Sequence, residues 1–353
     1  MAHKIGTRPS SPRLAAQDAA AVTLEQVAGH AGVSPSTVSR ILNGTAVVSE
    51  AKQQAVAEAI ALLGFVPNPV ARSLAGGRSL SIGVVTQAID SPYYGGALRG
   101  IEASLQAAGY SPLFTSGHWN ESEEARCIDL LRARRVDGLI VLTGRLSDAA
   151  LKQVAKTMPV VVTGRVLKAA NLFALNFDNF EGARLAARHL IALGHRHIAF
   201  ISGVAGHPDA AERLRGYRSA LDEAGIPFDP RLVVPGAYHE DSGRAAAETL
   251  IDQGIAFTAI FAANDQMAFG AALTLHRRGL RVPADMSLVG FDDLHASRYT
   301  IPPLSTVHQP VEDLGRLAAE AMLDLLAGRK PAAQLPVPTF VARDSTRPAN
   351  GRR

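Results

Sequence analysis

The 353-residue sequence has one cysteine, Cys127, so no disulfide can form within the chain, which fits a reducing cytoplasm. It also lacks any run of about 18 apolar residues, which excludes a helical membrane span. The first 21 residues carry Lys4, Arg8, Arg13 and Asp18 without a continuous apolar stretch. No secretory signal is read there, and residues 1–21 are expected to be a disordered tail. Phosphate loops and nucleophile elbows are missing too. His195-Arg196-His197 offers two histidines in a helix-to-strand turn, too few for a metal centre. Metal, cofactor and catalytic residues are all expected to be absent, and the chain is not read as an enzyme. Glu121, Glu123 and Glu124 read as a solvated helix start, and Cys127 as packing.

What is present is unevenly distributed. The net charge is +4. Residues 1–79 hold seven cations (Lys4, Arg8, Arg13, Arg40, Lys52, Arg72, Arg78) against Asp18, Glu25, Glu50 and Glu58, so the front quarter supplies three of the four net charges. Basic excess at one end points to a polyanionic partner.

That front segment reads as helices. Thr23-Leu24-Glu25-Gln26 has the form of a capping box, and Leu24, Val27, Ala28 and Ala31 follow at helical spacing. Gly32 supplies a tight turn. Ser34-Pro35 opens a second helix that buries Val38, Ile41 and Leu42 and ends at Asn43-Gly44. Ser49 is expected to cap a third helix, Glu50 to Leu63, which buries Val56, Ala59, Ile60 and Leu63. Two short helices across a glycine turn, closed by a third, make a helix-turn-helix unit. The exposed side of the second helix carries Ser34, Ser36, Thr37, Ser39 and Arg40. Short hydroxyls near a helix N-terminus suit phosphate oxygens, and an arginine reaches the two acceptors of guanine in the major groove. Downstream, Asn68-Pro69 starts a helix that Gly76-Gly77 end. At about eight residues it is too short to be stable alone. Leu74 on it has the character of an apolar wedge inserted between base steps from the minor groove.

Beyond residue 80, short apolar strands alternate with amphipathic helices: LSIGVV, SPLFTS, DGLIVLTG, PVVVTG, HIAFISG, TAIFAAN and MSLVGFDD. This rhythm means parallel sheets covered on both faces. LRGIEASLQAAGY (98–110) and LRGYRSALDEAGI (214–226) match at a constant offset of 116, which points to two similar half-domains. Ligands bind beyond the carboxyl ends of such strands. Tyr93, Tyr94, Gly164-Arg165, Asp209, Arg213, Tyr238, Asn264 and Asp292 gather there, a mixture of carboxylate, amide, guanidinium and aromatic face that suits a polyol. Asp265 reads as structural, and Asp292 has a second reading as a helix N-cap.

The run from Val22 to Ser79, with its TLEQVAGHAGVSPSTVSRILNG block, VSE helix start and NPVARSLAG hinge, resembles the headpiece of the lactose/galactose repressor family. The remainder resembles that family's effector-binding core. The resemblance implies an all-α helix-turn-helix headpiece with a hinge helix, then an α/β body of two doubly wound parallel-sheet subdomains, periplasmic-binding-protein-like. Expected boundaries are 22–67 for the headpiece, 68–79 for the hinge and 80–345 for the core. Within the core, 80–176 with 308–332 form one subdomain and 177–307 with 333–345 the other; 346–353 is a tail. The family reads pseudo-palindromic double-stranded operator DNA as a homodimer, with Thr23, Ser34, Pro35, Ser36, Thr37, Ser39, Arg40, Asn43, Asn68 and Leu74 at the DNA. Pro35 and Ser36 stand where the family varies, and proline offers no polar atom, so Ser36 and Arg40 carry more of the readout. By the same resemblance Arg213, Tyr238, Asn264 and Asp292 hold the effector. Gly164 stands where some members carry an acid. No heptad run follows Arg343, so a dimer is expected. The expected function is a repressor whose operator affinity is changed by a sugar or sugar derivative acting as inducer. A corepressor-dependent regulator with a non-sugar effector, a sugar-binding transport receptor and a sugar-modifying enzyme are the alternatives.

Overall fold

The computed structural model describes residues 22–42, 46–65 and 77–349. The chain divides into two units, residues 1–78 and 79–353.

In the front unit α1 (Leu24–His30), α2 (Pro35–Leu42) and α3 (Glu50–Leu63) surround Val27, Ala28, Val38, Val56 and Ala59. Local chemistry sets the helix ends. The Thr23 hydroxyl accepts from the Gln26 backbone N–H at 3.3 Å, while the Gln26 side chain accepts from the Thr23 N–H at 2.8 Å. These reciprocal bonds satisfy two donors that a helix start leaves orphaned. Ser34 caps α2 by accepting from the Thr37 N–H at 3.2 Å. Gly64 ends α3 in the left-handed conformation that glycine adopts without strain. The expected Ser49 cap differs: its side chain makes no capping bond. Ile41, Leu42, Ile60 and Leu63, expected to be buried, are only half-buried and pack against the edge of this core, which Phe65 joins. Asn43, Asn68 and Leu74 lie outside the described residues.

The second unit opens with β1 (Ser81–Thr86), α4 (Pro92–Ala107), β2 (Ser111–Ser116), α5 (Glu121–Ala133), β3 (Gly138–Val141), α6 (Asp148–Ala155), β4 (Val160–Thr163) and β5 (Leu172–Leu175). These five strands form a parallel sheet in the order β2-β1-β3-β4-β5. The pattern repeats with α7 (Asn179–Ala192), β6 (Ile198–Ser202), α8 (Pro208–Glu223), β7 (Val233–Pro235), α9 (Glu240–Asp252), β8 (Ala259–Ala262), α10 (Asp265–Arg277) and β9 (Ser287–Val289), giving a parallel sheet β7-β6-β8-β9. The strands read as continuous apolar runs because helices cover both faces. The chain then passes through β10 (Thr306–His308) and α11 (Val311–Leu326), and returns to pair β11 (Thr339–Val341) antiparallel to β10. Leu314, Ala318 and Met322 of α11 join the first half's core, whereas Phe340 packs on the second.

The repeat is structural. Both α4 and α8 begin at a proline and end 116 residues apart throughout. A Cβ on Gly100 would lie 2.1 Å from the Glu312 carbonyl oxygen, and one on Gly216 would lie 2.1 Å from that of Phe180. Each half thus uses the same glycine for a close helix crossing. At the far end, the residues expected as a tail are tied down as far as 349. The His195 ring bonds the Arg347 carbonyl at 3.0 Å, as well as Thr258 and Ser287, and the Ala349 N–H donates to Leu193. His195 is a structural residue.

Candidate functional site

A cavity of about 320 Å³ opens beyond the carboxyl ends of the strands, between the two halves of the second unit. The first half contributes an aromatic wall. Tyr93 and Tyr94 meet edge-on with centroids 5.3 Å apart, and Trp119 stands 6.2 Å from Tyr94. The second half contributes His207, Asp209, Arg213, Tyr238, Asn264 and Asp292. Seven of the eight expected ligand residues therefore converge on one cavity.

Arg213 is the electrostatic centre of that polar wall, and only 4% of it is exposed. Its Nε donates to Asn179 Oδ1 at 2.8 Å, one terminal nitrogen donates to the Ala263 carbonyl, and the guanidinium lies over the Phe291 ring at 3.9 Å. Asp292 Oδ1 stands 3.8 Å from it and accepts from Gln309 Nε2 at 2.8 Å. Burial raises the Asp292 carboxyl well above its usual range, with Arg213 pulling the other way. Asp292 caps no helix. It sits at φ 122° in a loop held by Asp265, which accepts from the Ser297 and Thr306 hydroxyls and the Leu294 N–H. Asp265 is wholly enclosed and structural, as its position implied. Asn264 lines the cavity but is partly spent on the scaffold. It caps α10 through Met267 and donates to the Tyr238 carbonyl.

Burial pushes Asp209 up to about 6, against the pull of Arg213 and Arg165. Burial likewise pushes His207 down to about 4, reinforced by Arg213, Arg165 and Arg145, so its ring is neutral at pH 7. Both ring nitrogens of His207 and the Tyr238 hydroxyl are buried without a hydrogen-bonding partner. Buried polar atoms are rarely left so, and both residues belong to the lining of the cavity.

Two expectations are corrected. Arg165 does not line this cavity. Its guanidinium donates to the carbonyls of Leu146 (2.7 Å) and Gly144 (2.6 Å) and pairs with Asp148, tying the loops after β3 and β4 together. Glu124 is not solvated: it is fully buried and accepts from the Arg145 and Leu146 N–H groups at 2.8 and 2.9 Å. Sequence reasoning missed His207 and Trp119. The repeat offset carried the signal for the first, since Ser91 plus 116 is His207. Ser91 lines the same cavity and donates across the cleft to Gln266 at 3.3 Å. Trp119 is delivered by two successive left-handed residues, His118 and Trp119 itself, with its N–H held by Gln87 Oε1 at 2.8 Å. Periodicity carries no trace of such a turn. Among the described residues no cluster could hold a metal ion.

On the front unit, Thr23, Pro35, Ser36 and Arg40 are exposed, and Thr37 and Ser39 half-buried. The Ser34 hydroxyl is 2.9 Å from those of Ser36 and Thr37, so three hydroxyls form one cluster at the start of α2.

Residues 23–68 match the lacI family of bacterial regulatory proteins, and residues 187–346 match a periplasmic binding protein-like domain. The HTH-type transcriptional repressor PurR of Haemophilus influenzae (strain PittEE) is 36% identical over 315 residues, 88% of this chain and 93% of its own. The lac repressor dimer, solved with operator and the anti-inducer ONPF, superposes with a TM-score of 0.82 at 32% identity, over 93% of this chain and 99% of that one. The regulator CelR in complex with cellobiose gives 0.69 at 35% identity, over 92% and 99%. These relatives are transcriptional regulators, and no helix among the described residues is long and apolar enough to cross a membrane. The chain belongs to the lacI family of bacterial regulatory proteins, DNA-binding transcriptional repressors regulated by small-molecule effectors.

Proposed function

We propose that the effector is a sugar or sugar derivative, and that it acts as an inducer, releasing a homodimer from a pseudo-palindromic operator in the cytoplasm. The observation that carries the sugar is the pairing of unsatisfied, buried polar atoms on His207 and Tyr238 with an aromatic wall of Tyr93, Tyr94 and Trp119. A sugar ring presents hydroxyls at its rim and C–H groups on its faces, so it answers both walls at once. CelR, a structural neighbour, was solved with cellobiose. The contacts at the DNA are those expected of α2, with Ser34, Thr37 and Ser39 on phosphates and Ser36 and Arg40 reading base edges. Exposed Leu273, Tyr299 and Ile301, around a groove lined by Phe269 and Val282, support a second copy as the dimer partner.

Ligand binding draws the two halves together, and a coupling of about 1–3 kcal/mol changes operator affinity roughly 5- to 150-fold. The test is selection of genomic fragments by the full-length protein at fixed salt, because phosphate contacts vary steeply with ionic strength. A panel of sugars, sugar phosphates and nucleobases is then added. Release by one sugar establishes the reading. Tighter operator binding with a nucleobase replaces it with corepression.

A further inference from the structure

Trp119 and His207 belong to two cavities at once. On one side is the inner cavity; on the other is an outer chamber of about 740 Å³, lined by Asn120, Glu121, Arg145, Ser147, Asp148 and Val166 with the same Trp119 and His207. The two rings touch edge-on across the cleft with centroids 4.8 Å apart, one from each half of the unit. They form a partition rather than an end wall. Resting on the sugar reading of the inner cavity, we propose that the outer chamber is a second subsite for a further neutral sugar ring. The effector is then a disaccharide or a larger glycoside, held with its linkage beside Trp119 and His207.

Three observations support a neutral ring. The chamber offers apolar surface, which a solvated anion does not want: Val166, 76% exposed, and Trp119 both line it. Its charges balance, with Arg145 and Arg165 facing Glu121 and Asp148. Its helix starts are already answered. Asn120 accepts from the Ser122 and Glu123 N–H groups, Ser147 accepts from Ala150, and Glu121 and Asp148 sit in the first turns of α5 and α6. Little positive potential is left over for a phosphate. Arg145 supplies the forked donors that adjacent hydroxyls take up. Its side chain is exposed and makes no hydrogen bond or ion pair among the described residues, whereas its backbone is fixed by the buried Glu124 carboxylate. The Arg145 guanidinium is therefore anchored at its root and unengaged at its tip. One wall of the partition is equally ready, since the neutral His207 ring has both nitrogens unpartnered.

The experiment is calorimetric titration of the full-length protein with free hexoses, with maltose, lactose and cellobiose, and with hexose 6-phosphates. Trp119 is the single tryptophan, so its emission gives an independent titration signal. One disaccharide is expected to bind about tenfold tighter than its constituent hexose, the gain of one or two extra charge-assisted hydrogen bonds plus a covered ring face. In Arg145→Ala and in Val166→Asp that ratio is expected to fall at least several-fold. Both side chains are exposed, so these variants fold. Disaccharides no tighter than the hexose, or a ratio unmoved by both variants, overturn the second subsite while leaving the sugar reading standing. A hexose 6-phosphate that binds tighter than any disaccharide overturns the neutral assignment. Failure of every sugar to bind overturns the inner site as read, and the second subsite with it.

Discussion

Arg213 and Asp292 face each other 3.8 Å apart, buried, yet too far for a direct hydrogen bond. Each is anchored by a different neighbour, Arg213 by Asn179 and Asp292 by Gln309. Arg213 Nε and one terminal nitrogen are engaged by Asn179 and Ala263, so the gap leaves the remaining guanidinium N–H groups and the Asp292 carboxyl bordering the cavity, an arrangement that one ligand hydroxyl is suited to bridge.

Asp292→Asn should therefore separate sensing from DNA binding. The amide keeps an oxygen for Gln309 but replaces the second acceptor oxygen with an NH2 donor, a difference of about 1–2 kcal/mol or more for a hydroxyl contact. Effector affinity is expected to drop at least tenfold while operator affinity without effector stays at the wild-type value. Operator titrations with and without sugar check this. A variant that binds the sugar normally would remove Asp292 from the site.

Asp209 gives the effector response a pH dependence. Its pKa is about 6 because burial penalises the charged form, with Arg213 and Arg165 opposing and His207 and Glu212 beside it. A sugar hydroxyl bonds best to the ionised carboxylate, so affinity is full above about pH 6 and falls as pH drops through it, by up to about tenfold per unit. In the free protein the sign reverses. There the folded state holds the proton more tightly than the unfolded chain, and stability falls as pH rises from the unfolded value of about 4 towards 6. Calorimetric titration across that range should show the affinity step, and Asp209→Asn should flatten it.

The parts of this site that were legible in the sequence are those governed by local or periodic rules. Thr23-Gln26, Ser34-Pro35 and the strand-end positions of Asn264 and Asp292 follow from capping chemistry and from the apolar rhythm. Arg165 obeyed the same strand-end rule and still turned away, because carbonyls of a neighbouring loop satisfied its donors first. Glu124 looked solvated among acids, but helical periodicity could not show that the loop at Arg145 and Leu146 would fold over it. Tyr238 and Trp119 are placed by left-handed backbone, at φ 66° and 56°, a conformation that non-glycine residues rarely adopt. Such strain collects at functional sites, and it belongs to the assembled fold rather than to any local pattern.

At the DNA, Arg40 is the exposed cation of α2, one turn beyond Ser36. Arg40→Ala should cost about 1–3 kcal/mol at the operator and relax preference at one base position. Binding to random DNA should weaken much less. Equal losses on both would reduce Arg40 to a phosphate contact.

The dimer surface makes a separate prediction. Ile301 is fully exposed and lines a groove with Phe269, Val282 and Leu304, an apolar surface that a second copy would cover. Ile301→Asp is expected to shift the sedimentation coefficient from dimer towards monomer and to abolish binding to a pseudo-palindromic site, while sugar binding persists. A variant that remains dimeric would move the interface elsewhere.

Gly100 and Gly216 test whether the repeat is a structural necessity. In each half an added methyl would meet a carbonyl oxygen of the facing helix at 2.1 Å, and backbone cannot yield as a flexible side chain can. Gly216→Ala should force α8 away from α7 and cost about 1–3 kcal/mol or more. Gly100→Ala should do the same to α4 and α11. Gly95, on the same helix as Gly100, has nothing within 4 Å of where its Cβ would stand. There alanine only removes unfolded-state entropy, so Gly95→Ala should be neutral or stabilising by up to about 1 kcal/mol. Thermal denaturation of the three variants decides the matter. If all three behave alike, helix propensity governs these positions and the close crossings do not; opposite signs for Gly95 and Gly100 show that the shared glycine is kept by the packing of each half.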